Sequence, residues 1–223
     1  MTNDNDLLLL ASSQNNKTFE VYIDSTGKKT LTPQTSNYTA IYSQPYVCYH
    51  SSSNSLLADK NPKKVVFPNC SEATGYAMSG AFEFAFMECT SLTSVSFPSL
   101  TTATGYSDSD YGPYGHGAFE SAFKGCTSLT SVSFPSLTTA TGGGAFGAFQ
   151  WAVRECTSLT SISFPALTTV YSFTGRKATF RNAFYNCSPS LKVHFKKSMK
   201  GKTELDYNIM GLTSADQVVF DLP

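Results

Sequence analysis

The chain has 223 residues, 41% of them hydrophobic and 13% aromatic, enough apolar material to bury a core in one large domain or two small ones. Its 16 basic residues balance 16 acidic ones and only 14% of positions are charged, so no net field draws in nucleic acid or an anionic membrane surface.

The opening stretch, MTNDNDLLLLASS, sets four leucines behind two aspartates, with no basic n-region. Its apolar run is too short for a signal peptide or a membrane span. Residues 1–16 are expected to be disordered. Residues 17–58 are polar but hold the β-prone stretches FEVYI and YTAIY, which predict an N-terminal β-element or cap. Cys48 and His50, the closest Cys/His pair, would share one face of a strand with no third group to orient them, and read as packing residues. A bridge between Cys48 and Cys70 stays open as a possibility.

From residue 59 to 200 the chain repeats itself. CTSLTSVSFPSLTTATG occurs letter for letter at 89–105 and at 126–142, and CTSLTSISFPALTTVYS follows at 156–172. A block repeated this way reads as a structural unit that stacks on itself. Aligned on the Phe of V-x-F, the copies fall at Phe67, Phe97, Phe134, Phe164, Phe195 and Phe220, each with a β-branched partner two residues earlier. Leu92, Val95, Phe97 and Leu100 point inward and Ser94 and Ser96 outward, as on a short strand. Ahead of each strand, Phe82, Ala85, Phe86 and Cys89 stand at i, i+3, i+4 and i+7, as do their copies ending at Cys126, Cys156 and Cys187. That spacing predicts one face of a short helix. Equivalent positions of stacked units lie one above another, so the four cysteines read as a ladder of buried, reduced thiols. Residues 201–223 hold Leu212, Ala215, Val218 and Phe220 at the offsets of Cys, Leu, Val and Phe, the mark of a degenerate last coil and C-terminal cap.

The pattern AF..C.SLTSV.FP.LT resembles the BspA-type leucine-rich repeat family of bacterial surface proteins over roughly residues 60–200. The fold expected from the repeat pattern and the resemblance together is an α/β, right-handed solenoid with one short helix and one parallel strand per coil, capped by the β-rich N-terminus. The resemblance implies a cell-surface or extracellular location. Spacings of 37, 30 and 31 residues between ladder cysteines exceed the family's usual unit and imply elaborated loops.

Little in the chain suggests catalysis. GGGAFG at 142–147 matches G-x-G-x-x-G, following a strand and opening the predicted helix, but no acid stands about twenty residues on to hold a ribose. No G-x-S-x-G elbow and no zinc-ligand spacing occur. The expectation is a non-enzymatic chain without cofactor or metal. Five lysines in LKVHFKKSMKGK read as a solubilising cover, and the serine pairs of successive strands as a solvated face, with an ice-binding surface as a remote alternative. What varies is the segment after TATG: YAMSG, YSDSDYGPYGHG, GGAFG and YSFTGRK. Insertions at one repeat position emerge on one edge. Tyr76, Tyr106, Tyr111, Tyr114, His116 and Tyr171 stand there among Gly, Ser and Asp, a composition suited to contact. The expected function is adhesion or binding of a protein or glycan by a monomer, without nucleic acid or membrane insertion. The same scaffold on a phage particle, as a host-binding protein, and an uncharacterised enzyme are the other readings. Phe84 and Trp151, at equivalent positions, are the next contact candidates.

Overall fold

The computed structural model describes residues 63–76, 79–105, 116–143, 146–172 and 179–223, together with the backbone of four strands nearer the N-terminus. Two sheets line the repeats, the second ending at Thr169–Ser172. The first takes its nine strands in chain order: Leu9–Ser13, Asn16–Glu20, Tyr38–Ile41, Lys64–Val66, Ser94–Ser96, Ser131–Ser133, Ser161–Phe164, Lys192–Lys196 and Val218–Leu222. All neighbours pair in parallel except the first two. Leu9–Ser13 thus lies inside the stretch expected to be disordered. Register follows the repeat, with Val65 opposite Val95, Val95 opposite Val132, and Ile162 opposite Val193.

The second sheet was not anticipated. Val47–Cys48, Glu72–Tyr76, Thr102–Thr104, Thr139–Gly143 and Thr169–Ser172 pair in parallel, so the TTATG stretch is a second strand of its repeat. It alternates as a strand should, with Ala103 and Ala140 buried between partly exposed threonines.

The AF…C segments are the main departure from expectation. No helix forms over 81–89, 118–126, 148–156 or 179–187; each is a ribbon of successive turns. Along 82–89, Ala85, Met87 and Cys89 donate their N–H to the carbonyl three residues back, while Phe82, Phe84, Phe86 and Glu88 donate to Ala118, Glu120, Ala122 and Lys124 of the next repeat at 2.7–3.1 Å. A helix keeps its N–H groups to itself and is about 10 Å wide, whereas strands of one sheet lie about 4.8 Å apart. With two sheets fixing that pitch, the third segment must share it. The cost is local strain: Phe84, Glu88, Ser121, Trp151, Glu155, Asn182 and Asn186 all take positive φ between 50° and 65°, and Gly125 occupies the same position as Glu88 and Glu155. The buried face predicted for the helix, Phe82, Ala85, Phe86 and Cys89, is buried all the same.

The core is built on columns of phenylalanine, two of them interlocked. Phe67, Phe97, Phe134, Phe164 and Phe195 stack face to face at 4.6–6.0 Å. Phe82, Phe119, Phe149 and Phe180 stack at 5.0–5.2 Å beside them. Between columns the rings meet edge to face, as Phe134 meets Phe119 and Phe149 at 5.5 and 5.4 Å. In a third column Phe86, Phe123 and Phe184 are joined by Val153, and a small apolar cavity lined by Phe123, Val153 and Phe184 marks the smaller side chain.

The thiol ladder is present and directional. Cys126, Cys156 and Cys187 donate their S–H to the carbonyls of Phe86, Phe123 and Val153 in the preceding repeat at 3.0–3.1 Å. Burial, with neighbouring cysteines adding, holds the Cys126 and Cys156 thiols far above the ordinary range, and burial pushes Cys187 to about 12. Cys187, expected to be fully buried, is half-buried. Cys70 is buried with its Sγ 3.5 Å from the Glu72 carbonyl, and the side chain of Cys48 lies outside the described residues.

The chain closes on the last repeat through a short helix, α1 (Tyr207–Met210), whose Ile209 and Met210 carbonyls accept from Asn182 and Phe184. Gln217 ties this cap to the stack, accepting from Ser214 and donating to the Leu191 carbonyl.

Phe134→Ala should cost about 3–5 kcal/mol in denaturant unfolding, because four rings lose a partner at once, while Ser133→Ala on the outer face should cost under about 0.5 kcal/mol. Equal losses would contradict the inward and outward assignment. In the native protein at mildly alkaline pH, Cys126 and Cys156 should resist maleimide labelling until unfolding and Cys187 should react first; prompt labelling of all three would mean that the ladder is open.

Candidate functional site

The first three insertions leave the second sheet and return to the turn ribbon through a pair of glycines, whereas the fourth leaves from Ser172, in register with Gly142. Gly75 pairs with Gly80, Gly105 bridges Gly117, and Gly142 pairs with Gly147, all antiparallel. The returning glycines form a column of their own: a Cβ on Gly80 would lie 1.9 Å from the Gly117 carbonyl oxygen, and one on Gly117 1.9 Å from that of Gly147. Backbone passes so close here that no side chain fits. GGGAFG is therefore a hairpin closing on this column, its glycines serving the turn and not a dinucleotide loop.

Of the predicted contact residues, Tyr106, Tyr111 and Tyr114 lie outside the described residues, as does the side chain of Tyr76, whose backbone ends the strand Glu72–Tyr76. Tyr171 stands on Thr169–Ser172 opposite Thr141, 49% exposed. Phe84 is 42% exposed and Trp151 half-buried, at equivalent points of two ribbons.

His116 has a different setting from the others. It is the last residue of the longest insertion, directly before Gly117, and its ring stacks on Phe146 at 5.4 Å. Its Nδ1 lies 2.8 Å from Glu83 Oε1 and 3.2 Å from Glu120 Oε2. Both glutamates are buried, with side chains 8% and 4% exposed. They hold the same position in successive ribbons, three residues after the glycine of the column, and each accepts that glycine's N–H: Glu83 from Gly80 at 3.0 Å, Glu120 from Gly117 at 3.3 Å. The third ribbon places Gln150 there, 2% exposed, its Oε1 without a hydrogen-bond partner. The fourth places Arg181, which is exposed.

Sequence reasoning named His116 and missed the glutamates. The signal was present in G-A-F-E and G-A-F-Q, where a polar residue follows an apolar pair at a fixed distance from glycine. Read as a helix, that position faces solvent; in a turn ribbon it faces inward. The ligand atoms of Glu83, His116 and Glu120 all lie within 4.8 Å of one another, close enough to hold a metal ion. Such a set was not expected from a sequence whose donors stand 33 residues apart at the widest unbroken gap, between Glu83 and His116.

Electrostatically the set is overloaded with acid. Burial raises the Glu83 carboxyl, against the opposing pull of the Gly80 N–H and His116. Burial, then the neighbouring charge of Glu83, raises Glu120 to about 7, again opposed by His116 and the Gly117 N–H. A raised carboxyl binds its proton more tightly in the folded state than in the unfolded chain, so its stabilising contribution is complete below about pH 4.5 and is lost as pH rises through about 7. The unfolding free energy of the native protein minus that of Glu120→Gln should therefore fall between about pH 5 and 8 in EDTA, by denaturant titration. A difference that is flat or rises would contradict this setting for Glu120, which faces only Glu83 and His116 among the titratable groups described around it.

Among the described residues no helix is long and apolar enough to cross a membrane. Neither a curated protein nor a solved structure matches the chain. Residues 119–202, however, match the model of the BspA type leucine rich repeat region, in six copies. That match begins at the second ribbon, yet the strand of Lys64–Val66 and the ribbon at 81–89 already stand in register with those that follow. Over residues 119–202 the chain is thus similar to a BspA type leucine rich repeat region.

Proposed function

We propose that the chain is a non-enzymatic binding or adhesion module, a right-handed solenoid that presents its insertions to a protein or glycan at a cell surface. One observation carries this reading: a core that scarcely changes from repeat to repeat supports segments that change freely, and the first three of them leave from one line of glycine pairs. The return points of the insertions at 77–78, 106–115 and 144–145 are stacked along one line, at Gly80, Gly117 and Gly147. Tyrosines in these insertions supply broad contact area at small entropic cost. Stacked repeats build extended surfaces suited to recognition, and the likeness of residues 119–202 to the BspA type repeat supports a surface location. The buried state of Glu83 and Glu120 speaks against their acting on a substrate, since a general acid or base must reach the atom it protonates or deprotonates.

The test replaces residues 106–115 with a short Gly/Ser segment that matches the insertion between Gly142 and Gly147 and keeps His116. Loop length has a weak entropic cost, so the melting temperature should hardly move. On a glycan array and a surface-protein panel, the native protein should bind at least one partner, and the replacement should weaken that binding more than about a hundredfold if Tyr106, Tyr111 and Tyr114 supply two or more anchors. Undiminished binding by a folded replacement would remove this insertion from the binding edge and turn attention to Phe84 and Trp151.

A further inference from the structure

The Glu83, His116 and Glu120 set has too little positive charge for its burial. Two carboxylates in adjacent repeats face one ring nitrogen, which can offer a single hydrogen to both. Burying carboxylates with so little compensation is unfavourable. The next residue in the column, Gln150, is 2% exposed and carries an oxygen with no partner, immediately beyond Glu120, whose neighbour Ser121 donates to the Gln150 carbonyl at 3.0 Å. Three donors thus converge and a fourth oxygen of the same column stands unsatisfied.

We propose that Glu83, His116 and Glu120 bind a first-row divalent cation, zinc by the character of its ligands, at the point where the longest insertion rejoins the stack. An imidazole nitrogen with carboxylate oxygens suits zinc better than magnesium or calcium, which take oxygen-rich sets. The geometry is near what zinc needs. Bonds of about 2.0–2.1 Å in a tetrahedron set neighbouring donors about 3.3 Å apart, and the Nδ1 to oxygen distances here are 2.8 and 3.2 Å. The Glu83 and Glu120 ligand oxygens lie within 4.8 Å of each other and would draw together around the ion. Bound there, the cation neutralises both carboxylates and clamps the returning limb of the insertion to two successive ribbons. This assignment goes beyond the binding role and does not depend on it.

The repeats themselves supply the variants for a test. Gln150 occupies in the next repeat the place of Glu120, and Phe146 the place of His116, so Glu120→Gln and His116→Phe introduce residues the stack already accommodates. Protein freed of metal with EDTA and then dialysed is titrated with ZnCl2 by calorimetry at neutral pH, and its melting temperature is followed with Zn2+, Mg2+ and Ca2+. The expected result is one zinc per chain with a micromolar or tighter Kd, a higher melting temperature with Zn2+ alone, and affinity at least tenfold weaker in both variants. A variant lacking His194 and Asp221, whose side chains meet at 3.0 Å on the outer face, should bind as the native protein does. Substitution with Co2+ should give visible absorption without a thiolate-to-cobalt band, setting the site apart from the cysteine ladder. Absence of any zinc-dependent shift, a shift that persists in both variants, or a strong thiolate band would each overturn the assignment.

Discussion

Every part of this protein answers to one distance, the spacing of about 4.8 Å at which parallel strands pair. Two sheets impose it on two sides of the stack as far as Thr169–Ser172, and the phenylalanine columns reproduce it in the core, at 5.0–5.2 Å for Phe82, Phe119, Phe149 and Phe180. A ring stacked at that separation is also well placed to receive the edge of a ring from the other column, and such contacts add about 0.5–1.5 kcal/mol each beyond burial. The turn ribbon is the part that yields. It gives up helical bonding and accepts left-handed residues so that its own N–H groups can join the stack.

The same distance governs the polar residues inside. A side chain at a given repeat position has its counterparts directly above and below it, so a single acid in the repeat motif becomes a row of like charges. The chain breaks that row after two members, with Gln150 and then Arg181, and sets His116 against the two that remain. The Gly80, Gly117 and Gly147 column lies beside it for a steric reason, since the backbones there approach too closely for a Cβ. Insertion edge and acid pair are neighbours because both are fixed to those glycines.

Which apolar residues face inward was legible in the central repeats, though not in the last coil, where Ala215 is exposed. Val95, Phe97, Leu100, Phe82, Ala85, Phe86 and Cys89 are all buried, as the alternation and the i, i+3, i+4 spacing indicated. The conformation that buries them was less legible, because a face can be recognised from spacing while the backbone is decided by packing pitch. Phe82, Ala85, Phe86 and Cys89 fit a helix in isolation, and the helix is excluded only once TTATG is seen to be a strand and the repeat to have two sheets. Glu83 and Glu120 escaped notice for the same reason, as a helix would have turned them to water. Their meeting with His116 depends on stacking across 37 residues of chain, between Glu83 and Glu120, which no local pattern displays.

Two letter-identical blocks, at 89–105 and 126–142, also create an ambiguity that the folding chain has to resolve. The core cannot tell one copy from the other, so a chain that skipped a repeat while zippering would still stack phenylalanine on phenylalanine and valine on valine, the kind of misassembly to which repeat proteins are prone. The departures from the repeat are what label the copies. Stacking the first ribbon on the third would set Glu83 against Gln150 without His116, and Phe86 against Val153. The irregular residues, which add least to the uniform core, thereby act as an address system that tells each coil which neighbour is its own.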